Sequence, residues 1–141
     1  MAKRSNLDHM TLLVTVALLG WVIPGAGHLF IKERKRAIII FATITITYVT
    51  GLYAGSIGVI DPAFSWAWYI PQMMATPLTA FLAHIASTNG IESFGNPRDI
   101  GQIYTSIAGM LNLLCIISAV YMAHSGRGEI IGHEEDDSKY L

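Results

Sequence analysis

The sequence is short of two things, charge and cysteine. Only 13% of its 141 residues are charged, against about 25% in an ordinary soluble chain. Residues 10–31, 37–91 and 100–125 carry one formal charge between them, Asp61. The other charged side chains are crowded into the short connections and the two ends. That distribution excludes a disordered chain and an ordinary soluble domain. Net charge is −1, so there is no basic surface to neutralise a run of phosphates, and no nucleic-acid partner is expected. Cys115 is the single cysteine, which excludes an internal disulfide, a CxxC redox pair and a four-cysteine zinc site. It lies in an apolar run and reads as a small hydrophobe. Glycosylation sequons, GxxxxGK[ST], GxGxxG, HExxH and GxSxG are all missing. No cofactor and no enzymatic activity are expected.

What is present is apolar: 52% of the residues are hydrophobic and mean hydropathy is +0.48. A bilayer core about 30 Å thick needs roughly 20 helical residues. Four segments qualify by length, and the expected fold is an all-α membrane protein, a small bundle of three to four transmembrane helices. Residues 1–125 form the single helical domain. Residues 126–141, with Glu134-Glu135-Asp136-Asp137, read as a flexible acidic tail.

Segment one, residues 10–31, is interrupted by Pro24-Gly25-Ala26-Gly27. Pro24 removes a backbone donor and the glycines weaken helix continuity. The expected form is a helix to about Trp21, a turn, then a short helix carrying His28 and Phe30, either broken or re-entrant. Lys3 and Arg4 before this run also give it the look of a secretory signal. Gly25 and Gly27 are poor cleavage-site residues, however, and apolar character resumes at Leu29, so a retained segment is expected.

Lys32, Arg34, Lys35 and Arg36 form the strongest topological signal, a basic turn that belongs in the cytoplasm or against anionic headgroups. If segment one only dips in and returns, Lys3/Arg4 and this turn share one side, three spans remain and the tail lies outside. If it spans, one basic group loses.

Segment two runs from Ala37 to about Val59. Thr43–Thr47 alternates like a strand, but an isolated strand leaves its backbone unsatisfied in lipid. As a helix it places Thr43, Thr47, Gly51, Gly55 and Val59 on one face. Asp61 and the cluster Phe64, Trp66, Trp68 and Tyr69 mark an interfacial loop. Segment three, from about Trp68 to Thr88, carries Pro71 and Pro77, which predict an irregular start or a kink. Ala75, Thr79, Ala83 and Ser87 form its small-residue face. Segment four, from Ile100 to about His124, has Gly101, Thr105, Gly109 and Asn112 on one face. Small faces of this kind let membrane helices pack closely. Three of them are more than four short helices would bury among themselves.

Five polar positions stand out. His28, after the turn, is either a ligand or proton-handling group at a helix break or a cap for freed carbonyls. His84 is an intramembrane ionisable group close enough to a segment end to reach the headgroups. A metal held by the pair would need a third ligand, and none is evident. Asn112, in mid-segment, suits an interhelical hydrogen bond. Asp99 reads as a helix N-cap or first-turn acid, and Arg98 as a headgroup anchor.

Trp21-Val22-Ile23-Pro24-Gly25-Ala26-Gly27-His28-Leu29-Phe30, a basic turn, then Ala37-Ile38-Ile39-Ile40-Phe41 resembles the bacterial two-transmembrane-like domains. Gly101-Gln102-Ile103-Tyr104-Thr105, followed by Ala108-Gly109-Met110-Leu111-Asn112, resembles a small bacterial inner-membrane family of unknown function. The resemblance implies a bacterial inner-membrane location and no enzyme activity. The expected role is a non-enzymatic structural or accessory subunit of a larger membrane complex, whose partners are lipids, other membrane subunits or further copies. The alternative is a small homo-oligomeric transporter or channel subunit, with a polar path through His28, His84 and Asn112.

Overall fold

The computed structural model describes residues 6–125. These residues form six α-helices and one 3-10 turn, with no strand among them. They are α1 (Asn6–Val22), α2 (Ala26–Phe30), α3 (Arg34–Gly55), the 3-10 turn (Ile57–Val59), α4 (Trp66–Met73), α5 (Leu78–Thr88) and α6 (Gly95–Ser125). Among the described residues, α3 and α6 alone are long and apolar enough to cross a membrane. Residues 126–141, and with them the expected acidic tail, lie outside the described part, as do Lys3 and Arg4.

The longest helix, α6, is the mast of the fold. Against it α3 runs antiparallel: Gly55 packs beside Gly101, Gly51 beside Thr105, and at the other end Arg36 Nη1 lies 3.4 Å from Met122 Sδ. The end of the bundle that carries Lys32–Arg36 is termed here the basic end. The other, with Asp61, Trp66 and Arg98, is the aromatic end.

Segment one is broken. From the basic end α1 descends beside α6, with His9 against His124 and Gly20 beside Ile116. It stops at Val22, level with the middle of α6. The turn is tight because Gly25 adopts φ +84°, and a Cβ there would lie 2.5 Å from the Ala37 carbonyl oxygen. Only glycine combines that backbone with that proximity. The chain then climbs back as α2, with Gly27 between Val16 and Ala119.

Segment three is not a kinked span but a second hairpin, entering from the aromatic end. Along the first half of α6, α4 descends in parallel: Arg98 bonds Ser65, Ser106 bonds the Trp68 carbonyl, and Gly109 abuts Pro71. Pro71 sits inside α4 without ending it. The break falls at Met74–Pro77, and α5 returns toward the aromatic end. The expected three to four long helices are therefore two, plus two hairpins of short helices.

Other boundaries also move. Segment two leaves the helix at Gly55, because Ser56 adopts φ +63° and starts the 3-10 turn that holds Val59. Segment four starts at Gly95, so Asp99 is neither an N-cap nor in the first turn; it is exposed.

The small-residue faces are largely closed inside the chain. Gly51 and Gly55 meet Gly101 and Thr105, Gly109 meets Pro71 and Ala75, and Thr79 and Ala83 are buried. Thr47 turns its hydroxyl onto its own helix at the Thr43 carbonyl, and Thr43 is exposed. The expectation that these faces exceed what the chain can bury is corrected. The exposed surface is instead made of large side chains such as Ile38, Ile39, Ile46 and Tyr53.

Candidate functional site

The two hairpins meet tip to tip at mid-height, and Asn112 lies at the junction. Helix ends leave their last carbonyls without intrahelical partners. Here α1 and α4 both end at the junction, so a group of such carbonyls converges. Asn112 is fully buried, and its Nδ2 donates toward the carbonyls of Gly20 (3.1 Å), Met74 (3.0 Å) and Ala75 (3.0 Å). Two protons serve three acceptors. The indole of Trp21 donates to the Met73 carbonyl at 2.9 Å, and the Thr76 hydroxyl to the Val22 carbonyl at 3.2 Å. Each hairpin thus caps the other, and α6 caps both.

A second polar cluster lies between this junction and the aromatic end. Gln72 is buried, with Nε2 2.9 Å from Thr105 Oγ1 and 3.3 Å from the Val59 carbonyl. Thr105 in turn donates back to its own helix at Gly101 (2.7 Å). Thr79 Oγ1 lies 2.8 Å from the Tyr48 hydroxyl and 3.2 Å from the Gln72 carbonyl. Gln102 Nε2 also reaches the Val59 carbonyl, at 3.5 Å. Two buried oxygens, Gln72 Oε1 and Asn112 Oδ1, meet no donor among the described residues. In sequence Gln72 is the legible clue, an amide inside an apolar run, whereas Tyr48 carries no such signal.

At the aromatic end Arg98 Nη2 donates to Ser65 Oγ at 2.6 Å and lies 3.7 Å from Asp61 Oδ2. Asp61 Oδ1 accepts from the backbone N–H of Ala63 (2.9 Å) and Phe64 (3.1 Å), shaping the loop before α4.

His28 lies at the basic end, in α2, outside α3 and α6 and only 3% exposed. Burial pushes its pKa below the ordinary value of 6.5; Arg36 lowers it further and Glu33 opposes. Lys32 sits in the left-handed region at the turn, and Arg34, Lys35 and Arg36 fall in the first turn of α3. His84 lies on the exposed face of α5. The structure therefore does not join His28, His84 and Asn112 in one path. It joins Asn112 with Gly20, Met74 and Ala75, and separately Gln72 with Thr105 and Val59. Among the described residues no three His, Cys, Asp or Glu side chains converge as a metal site.

These features define a class: an all-α protein with two helices long and apolar enough to cross a membrane, and two opposed broken hairpins pinned to the longer one. The chain belongs to the family of unknown function DUF6677, whose profile matches residues 15–129. No curated protein and no solved structure matches it.

Proposed function

We propose that the chain is a non-enzymatic, multi-pass protein of the bacterial inner membrane that serves as a structural or accessory part of a larger membrane assembly. In this reading α3 and α6 cross the bilayer, and the two hairpins are re-entrant, each entering from one face to half depth. The inner-membrane location rests on the resemblance of residues 21–41 to two-transmembrane-like domains, and the basic end is cytoplasmic by the positive-inside rule. What carries the reading is how the central polar side chains are occupied. Asn112, Trp21 and Thr76 are tied to helix-end carbonyls that lipid would leave unsatisfied at a cost of several kcal/mol each. They act on the fold rather than on a substrate. The partner-facing surface is then apolar, and the face of α3 turned from α6, with Ile39, Ile46 and Tyr53, is the place to look. Recovery of the full chain from native membranes in mild detergent, followed by native-gel sizing and mass spectrometry, tests this. Stoichiometric recovery of unrelated subunits is expected; migration as a monomer would overturn it.

A second reading, a small homo-oligomeric transporter or channel subunit, is favoured by one observation. Gln72 Oε1 and Asn112 Oδ1 are buried acceptors that meet no donor among the described residues. Broken helices at membrane depth are where transporters place their sites. Flux through reconstituted vesicles that is lost in Gln72→Leu would carry this reading. Equal flux in wild-type and empty vesicles would sink it.

A further inference from the structure

At the aromatic end a cleft of about 390 Å³ opens between the 3-10 turn, the 61–64 loop, the end of α5 and the start of α6. Its charged lining is one guanidinium, Arg98, and two carboxylates, Asp61 and Glu92. Asp61 is committed to the Ala63 and Phe64 amides and to Arg98. Arg98 has used Nη2 on Ser65, which leaves its Nε and Nη1 without a partner among the described residues. Glu92 is exposed and has no ion pair there either. Phe64 and Phe94 line the same cleft and are 86% and 70% exposed. Trp66 and Trp68, at the start of α4, stand at this end of the bundle, where such rings mark the headgroup level.

The charges select the class of ligand. Asp61 offsets Arg98, so the cleft as a whole is negative through Glu92, and a purely anionic group meets repulsion. A group carrying both signs meets a match. From this we infer that the cleft holds the headgroup of a zwitterionic aminophospholipid. Its phosphate lies on the open edge of Arg98, and its ammonium lies on Glu92. The two phenyl rings cover the adjoining apolar part. This rests on the membrane reading above.

The test uses the full chain in mild detergent, titrated with phosphatidylethanolamine or with phosphatidylglycerol of the same acyl chains, and bound lipid counted by native mass spectrometry. Wild type is expected to retain the ethanolamine lipid about fivefold better, the scale of one partly exposed ion pair. Glu92→Gln is expected to erase that preference while still binding lipid. Arg98→Gln is expected to weaken both lipids; Arg98→Lys, which keeps the charge but loses the fork, serves where Arg98→Gln does not fold, with an intermediate loss. Equal retention by wild type, a preference for phosphatidylglycerol, or an unchanged preference in Glu92→Gln would overturn the inference. So would displacement by soluble glycerophosphoethanolamine at the lipid's own concentration, which would make the ligand a solute. Carbonate extraction separates the two layers of argument. A chain released by carbonate overturns the membrane reading, whereas a chain that stays and does not discriminate overturns the cleft assignment alone.

Discussion

His9 Nε2 lies 2.9 Å from His124 Nδ1, although 115 positions separate them. The contact joins the first turn of α1 to the last turn of α6, at the same end as Arg36 and Met122. Two long helices and two returning hairpins bring the end of α6 back to the end of the bundle at which α1 begins. With three spans residue 125 would face away from the start of α1; the second hairpin returns it to the same end of the bundle. A green fluorescent protein fused after Ser125 is expected to fluoresce in the cytoplasm, and alkaline phosphatase at the same site to be silent. Active phosphatase there would overturn the cytoplasmic placement of the basic end.

Asn112 is the keystone of the junction. Asn112→Leu leaves three buried carbonyls without their donor and is expected to cost about 1–3 kcal/mol, read as a lower melting point in detergent. Asn112→Asp keeps the shape but, ionised, sets acceptors against acceptors, and is expected to be no milder. Trp21→Phe removes one donor and is expected to cost about 1 kcal/mol. An Asn112→Leu variant as stable as wild type would remove the junction from the account.

Two glycines give a contrast in mechanism. A Cβ at Gly109 would collide with the Pro71 carbonyl, backbone against backbone. Gly109→Ala is expected to cost more than about 2 kcal/mol, or to prevent folding. Gly90 has open space around it and only its φ of +62° to protect. Gly90→Ala is expected to cost about 1 kcal/mol. Comparable expression and melting of the two variants would contradict the close approach of α4 to α6.

The pH response follows from His28. Its folded pKa is lowered, first by burial and then by Arg36. The unfolded chain therefore binds the proton more readily below about pH 6.5. The contribution is fully present above that value and is lost as pH falls through the lowered one. Wild type is expected to lose more stability between pH 7 and pH 5 than His28→Gln does, as read by melting in detergent. The same acid slope in both would show that His28 does not titrate with unfolding.

The first break was legible because Pro24 and Gly25 stand together, and residues of that kind end helices whatever surrounds them. The second was legible only as a kink. Pro71 and Pro77 look alike in sequence, yet Pro71 is accommodated within the short helix α4 while the chain turns at Met74–Pro77. What separates them is tertiary: Asn112 and Trp21 donate to the carbonyls freed at the second site, and neither is near it in sequence. The same limit explains Asp99, whose place as a cap depended on where α6 begins. Gly95, at φ +66°, moved that start upstream. The spacing of Gly51, Gly55, Gly101 and Thr105 announced close packing correctly, but not that these residues would pack on each other.

The facing hairpins also bear on biogenesis. The turn of the second hairpin is not set by hydropathy, since residues 68–88 form one uncharged apolar run. The stop is the opposite tip, which caps its freed carbonyls only once α1, α2 and α6 are in place. Since α6 follows both hairpins in the chain, the junction can close only after Asn112 has been made. Until then both tips are uncapped, so the order of synthesis leaves the polar centre of the fold to be closed last.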